Sequence, residues 1–291
     1  MVSTEQAPAL VEPAEPAAVP SRPGRRRPDA RRAVAATATV LGSAFRRTIA
    51  LIAFFALWEL APRAGLVDPI FLPPVSEVVP ALWDLAVGGQ LWRNTETSLV
   101  RSLSGFGLAI VVAVPLGLLI GWYRPVAELL NPLLELFRNT AAIALLPVFI
   151  LILGIGETSK VAIVLYACTW PILLNTISAV RTVDPTLVKS ARSLGLPAPR
   201  IFQKVILPAA VPTVFTGIRL AGATAVLVMI VAEMVGAKEG LGFLINSSQQ
   251  NFAINDMYAG IIAISVLGLL FNQLLVLLER RFTRWRTDTG R

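Results

Sequence analysis

"LSGFGLAIVVAVPLGLLIGW", Leu103 to Trp122, is a run of twenty residues without a charged side chain. A helix rises about 1.5 Å per residue, so roughly 20 apolar residues match the ~30 Å hydrocarbon core of a bilayer. No water is available at that depth, so a crossing segment satisfies its backbone groups internally, as a helix does. The run therefore predicts a transmembrane helix. The composition agrees: 55% of the 291 residues are hydrophobic and 15% are charged, where a soluble chain carries nearer a quarter charged.

Working outward, Val161–Val180 and Met257–Leu278 are equally long and free of charge. Thr48–Gly65 is shorter, with Glu59 and Arg63 near its far end, where both can reach the interface. Val211–Val235 contains Arg219 and Glu233. In "ELLNPLLELFRNTAAIALLPVFILILGIG" the residues Glu135, Arg138, Pro132 and Pro147 predict an interfacial first part and a bent spanning part near 140–154. The expectation is an all-α integral membrane protein of six transmembrane helices over residues 48–285. Residues 286–291 form a C-terminal tail, and residues 1–47 form a basic tail rich in Pro, Ala and Arg that cannot bury a core and is expected to be disordered. The charged region of that tail is too long for a secretory signal, and no A-x-A-like site follows the first apolar run.

The net charge is +8. Because the basic residues flank apolar runs, they point to membrane orientation and not to nucleic acid. With six spans both termini share a side. Nineteen basic residues fall on that side and five, Arg63, Arg93, Arg101, Lys160 and Lys238, fall in the opposite loops. The positive-inside rule makes the first side cytoplasmic. The lone Cys168 lies within an apolar run, so it reads as a small core residue and excludes a disulfide within the chain.

One cytoplasmic segment, 181–212, is polar and lies between the fourth and fifth spans. Asp184 then Pro185 reads as a helix start. Leu187, Ala191 and Leu194 recur at i, i+4 and i+7 on one face, with Lys189 about 200° away. Gly195 suits the left-handed residue that ends a helix, and Pro197 enforces the stop. A second short helix starts at Pro199 and is expected to end near Pro208. Isolated helices of about ten residues are marginal in water, so the apolar face needs a partner. Two partners fit the residues equally: the ends of the chain's own spans or lipid headgroups, and a separate protein.

"SARSLG" followed by "FQKVILPAAVP" resembles the EAA loop of inner-membrane subunits of ABC importers that work with a substrate-binding protein. Lys189, Ser190 and Ala191 occupy the Glu-Ala-Ala positions, Gly195 the glycine, and Leu207 and Pro208 the final Leu-Pro. The departures, Lys189 for Glu and Ser190 for Ala, bear on any salt bridge the family's Glu makes to the ATPase; the helix, turn and Leu-Pro remain. From about Leu57 to Trp285, "LLPVFILILGIGETSK", "TGIRLA", "AEMVGAKEGLGFLI" and other stretches are similar to nitrate/sulfonate/taurine-type permeases. The resemblance implies a MetI-like permease, as a homodimer or pseudodimer. Its 185–208 loop seats in a groove of a separate ATPase, with Leu187, Lys189, Ser190, Ala191, Leu194, Gly195, Leu207 and Pro208 forming the coupling segment. An extracytoplasmic binding protein delivers the solute, and the partner subunit binds ATP.

The chain has no G-x-x-x-x-G-K-[ST] and so no phosphate-cradling loop of its own. With no histidine and one cysteine, the usual zinc sites are excluded. Gly236, Gly240 and Gly242 follow a span and precede no βα unit, so they read as an outer turn and not a dinucleotide fingerprint. An arginine near the bilayer centre costs about +2.5–3.5 kcal/mol on insertion scales, so Arg138, Arg219 and Glu233 should face the bundle or a wet cavity. They and Asn175 are the candidates for a pathway suited to a small anion; interhelical pairing is the alternative. Arg219 and Glu233, about 21 Å apart along one helix, cannot pair with each other. A passive channel or secondary transporter would need no docking loop. A membrane-embedded enzyme would need a nucleophile–base pair or metal ligands at depth, and the sequence offers neither.

Overall fold

In the computed structural model, residues 49–282 are described, and every regular element among them is helical. The two tails, 1–47 and 286–291, lie outside the described residues. Helix α1 covers residues 49–63, α2 Val75–Val87, α3 Gln90–Trp122 and α4 Arg124–Arg138. A 3-10 turn, Ala142–Leu145, leads into α5, Leu146–Leu153; α6 is Glu157–Arg181 and α7 Pro185–Ser193. Helix α8 is Ala198–Ile201, α9 Leu207–Met234, α10 Leu241–Gln250 and α11 Ile254–Phe282. Among the described residues, those from Ala56 to Phe282 belong to one unit, and the packing below is that unit's.

Four described helical stretches are long and apolar enough to cross a membrane: Gln90–Trp122, Glu157–Arg181, Ala198–Met234 and Ile254–Arg281. The pair Arg124–Arg138 and Ala142–Leu153 makes a fifth if taken as one span bent by 85°. The bend falls between the two parts read from the sequence, at the start of the stretch expected near 140–154, and α5 has eight residues, about 12 Å of helix, too short to cross alone. In α1, the described 15 residues are shorter than a bilayer is thick. Its end is tied to the next segment: Trp58 Nε1 donates to Pro73 O at 3.0 Å, and the Ser76 amide donates to Glu59 Oε2 at 3.0 Å.

The core lies where α3, α6 and α9 pack along one another. Phe106, Ala109 and Ala113 meet Ile163, Val164 and Cys168, with Ala221, Ala225 and Met229 on the third side. Small residues set the approach. A Cβ added at Gly105 would lie 2.7 Å from Val164 Cβ, at Gly117 2.6 Å from Thr176 Cβ, and at Gly217 2.6 Å from Asn175 Cβ. Backbones this close gain dispersion contact, which drives helix association in lipid where the hydrophobic effect does not. Cys168 is buried in this core, its Sγ 3.3 Å from Ala221 O. A second, smaller cluster joins Val78 and Leu85 of α2 to Leu241 and Leu244 of α10 and Ala259 of α11.

Two expectations are corrected. Helix α3 begins at Gln90, thirteen residues before the apolar run, so Arg93 and Arg101 stand on a helix and not in a loop. Nor does Pro208 end a helix: helical structure runs unbroken from Ala198 to Met234. The reason is the π-helical turn Phe202–Ile206, in which the Leu207 amide bonds Phe202 O, five residues back. The wider turn moves the backbone out of the i→i−4 register in which proline clashes, so Pro208 enters α9 as its second residue.

Candidate functional site

The polar loop is built as its residues dictate. The Thr186 amide donates to Asp184 Oδ1 at 2.8 Å, and Pro185 is the first residue of α7. That bond favours the ionised cap and holds the Asp184 carboxyl below the usual aspartate range. Gly195 has φ +74°, a conformation that suits glycine. Around it Leu196 N bonds Ala191 O at 3.2 Å and Gly195 N bonds Arg192 O at 2.9 Å, which closes the end of α7.

The loop is fastened to the bundle by its own apolar cluster. Ala191, Ile201 and Ile206 bury against Val180 of α6, with Trp122 and Leu118 of α3, Val188 and Phe202 packed around them. The Trp122 and Phe202 rings meet edge to face at 5.3 Å. This divides the face that Leu187, Ala191 and Leu194 were expected to share. Ala191 is 5% exposed, while Leu187 is 51% and Leu194 80% exposed. On a helical wheel Ala191 lies about 40° from Leu187 toward Val188. Both Ala191 and Val188 pack inward, so Ala191 is a contact of the chain with itself. Leu187 and Leu194 remain as an outward apolar pair, with exposed Ser190 beside Leu194 and exposed Lys189 farther around the helix. Leu207 and Pro208, also exposed, open α9.

The pathway candidates separate. Arg138 is exposed in the last turn of α4, at the bend. Asn175 is half-buried, its Nδ2 donating to Pro171 O at 2.8 Å in the same helix. Arg219 Nη1 lies 3.0 Å from Glu279 Oε2 of α11, an interhelical pair. Glu233 is 1% exposed and fully engaged: Oε1 accepts from Arg101 Nη1 at 2.9 Å, and Oε2 accepts from Ser98 Oγ at 2.7 Å and the Gly242 amide at 3.0 Å.

Glu233 belongs to a charged cluster at the end of the bundle far from the loop. Arg101, 6% exposed, also donates through Nη1 to Glu239 O at 2.7 Å and pairs with Glu157, the first residue of α6. Buried Lys160 donates to Gly156 O at 3.1 Å. Ser98 Oγ and Asn94 Oδ1 accept the amides of Leu241 and Gly240, both at 2.8 Å, and so hold the start of α10. Gly240, at φ +121°, lies against the Glu233 carboxylate, and a side chain there would collide with it. Arg93 pairs with Glu239 and holds the Glu239 carboxyl below the usual range. Of this group, sequence reasoning named Glu233 alone as a site candidate and read Arg93, Arg101 and Lys160 as loop cations. The available signal was Asn94, Ser98 and Arg101 at i, i+4 and i+7, a polar stripe on a helical extension of the second span.

Comparison with known proteins bears on the family and the fold. Residues 113–284, more than half of the chain, match the binding-protein-dependent transport system inner membrane component family. The chain belongs to that family. It is similar to the taurine transport system permease protein of Escherichia coli, 30% identical over 82% of this chain and 88% of that protein. It is 33% identical to a putative aliphatic sulfonates transport permease protein of Bacillus subtilis, over 80% of this chain and 84% of that one. Among solved structures, an inward-facing MetNI methionine ABC transporter matches with a TM-score of 0.58 at 20% identity, over 70% of this chain and 98% of that chain. The fold is therefore MetI-like. As a member of the family the chain is a multi-pass inner-membrane permease, a transport subunit and not an enzyme, and neither a passive channel nor a secondary transporter is favoured.

Proposed function

We propose that this permease imports a small anionic solute of the sulfonate, taurine or nitrate kind, driven by a separate ATPase that docks on the 185–208 loop. The observation that carries the docking is the exposed pair Leu187, on a helix pinned to α3 and α6 from its other side, and Leu194, at that helix's C-cap. An apolar pair on a short, fixed helix suits seating in a partner's groove, and the fixed side passes force to the bundle. Lys189 sits at the rim of that contact, where a cation contributes only about 0–1 kcal/mol. The solute class follows the relatives, which are named for taurine, aliphatic sulfonates and, in Synechococcus elongatus, bicarbonate. Exposed Arg138 at the bend and half-buried Asn175 are the pathway contacts in this reading. Arg219 and Glu233 serve as interhelical pairs.

The topology proposed is six spans with both termini and the loop cytoplasmic, two copies per transporter, and a binding protein docking on the opposite face. ATP is held by the partner. Proteoliposomes carrying this chain, its ATPase and its binding protein should accumulate labelled taurine, an alkanesulfonate or bicarbonate only with ATP inside. Uptake that persists without the ATPase would refute the coupling. In a Cys168→Ala background, Ser193→Cys should label from the cytoplasmic side and Lys238→Cys from outside; labelling of Ser193→Cys from outside in intact cells would invert the topology.

A further inference from the structure

Helices α6 and α9 form an antiparallel hairpin. Asn175 meets Gly217 near the loop, and Cys168 meets Ala221 farther along. At one end the hairpin is closed covalently by the loop. At the other end the first residue of α6 is Glu157 and the last-but-one residue of α9 is Glu233, and one side chain reaches both: Arg101 of α3.

We propose that Arg101 is a positioning residue for transport, tying the first turn of α6 to the last turn of α9 so that the hairpin moves as one piece from the loop to its far end. The proposal rests on the loop being the joint to the ATPase, since a displacement begun there reaches the far end undiminished only if both helices stay together. Three features support it. Arginine is the side chain suited to the task, because its planar fork makes four bonds here, two side by side to Glu157 and one each to Glu233 and Glu239 O, where lysine has three donors on a single nitrogen. The fork is fixed by its surroundings: Glu233 is itself held by Ser98 and the Gly242 amide, so the fork keeps its hold on α9 when α6 is displaced. The same fork holds Glu239 O, so the turn leading into α10 travels with the hairpin.

The two carboxylates are not equivalent. The Glu233 side chain is 0% exposed, and freeing it from Arg101 would leave a buried charge with no counter-ion and no water. The Glu157 side chain is 66% exposed, so water takes over when it lets go. The Arg101–Glu157 arm is therefore the one that a substitution can remove without breaking the fold.

The test uses the full-length chain in lipid nanodiscs with its ATPase. Cys168 is replaced by alanine, nitroxide labels are placed at Thr182→Cys and Lys238→Cys, and labelled chain is diluted with unlabelled chain. Wild type should give one narrow distance, the same without nucleotide and after trapping with ATP and vanadate. Glu157→Gln should keep wild-type abundance and thermal midpoint, yet widen the distribution in both states and shift its mean on trapping. Glu157→Asp, which retains the charge, should restore the narrow distribution. A wild-type distance that changes on trapping would overturn the proposal, as would a narrow, unchanged distribution in Glu157→Gln. If the ATPase does not bind wild type, the coupling reading fails by itself, and the nucleotide-free comparison of Glu157→Gln with wild type still decides the role of Arg101.

Discussion

The two ends of the α6–α9 hairpin are held by opposite chemistry. At the loop end the contacts are apolar, and the buried ones are close in sequence: Val180, Ala191, Ile201 and Ile206 lie within one stretch, with Leu118 and Trp122 of α3 packed around them. At the far end they are ionic and distant, with Arg101 bonding a carboxylate 132 residues away. An apolar cluster is non-directional and can seat a helix that receives force. A buried ion pair is directional, and costly to leave half-made. The difference teaches where this chain tolerates change: substitutions at the loop end should loosen one segment, and those at the far end should threaten the bundle.

The largest expected effect lies at the far end. Glu233→Ala leaves the Arg101 guanidinium short of a partner and strips the acceptor from Ser98 Oγ and the Gly242 amide. Breaking a buried pair from one side costs about 3–5 kcal/mol, a large fraction of a typical stability. The purified variant should lose monodispersity and most of its folded yield in detergent. A wild-type melting profile for Glu233→Ala would erase the contrast between the ends.

At the loop end the corresponding change is Gly195→Val. A β-branched residue forced to φ +74° costs on the order of 1–3 kcal/mol, and the open space around Gly195 offers no clash to add to it. The spans do not use this turn, so membrane abundance should hold while amide exchange accelerates across 185–196. Equal exchange in both proteins would show that the turn is not strained by the substitution.

The smallest effect belongs to a pair outside both regions. Arg219 and Glu279 have side chains 42% and 23% exposed, and a pair so open contributes about 0–1 kcal/mol. Arg219→Ala should melt within a degree or two of wild type and transport normally. A transport defect at normal stability would return Arg219 to the pathway.

The same contrast explains what could be read from the sequence. Apolar runs, the Asp184–Pro185 helix start and the Gly195 stop are local signals, each decided by a few neighbouring residues, and they locate four long apolar helices, the bent pair and the loop helix. The use proposed for the loop comes from family likeness, since its own residues left two partners open. Nothing local says that Arg101 and Glu157, 56 residues apart, will meet, so Arg101 read as a loop cation. The inward turn of Ala191 was hidden for a related reason. A wheel gives angles between side chains but not the rotation of the helix, and that is set by Val180, Ile201 and Ile206 once the chain has folded.

The central claim is that Leu187 and Leu194, and not Ala191, meet the ATPase. Co-purification of the tagged ATPase with the full-length permease tests it most directly, using Leu187→Glu with Leu194→Glu against wild type, each at matched membrane abundance and with its melting profile recorded. Both leucines are exposed, so the double variant should melt as wild type does, while the recovered ATPase falls to background. Full recovery of the ATPase with the double variant would contradict the account and move the contact to another face of the loop.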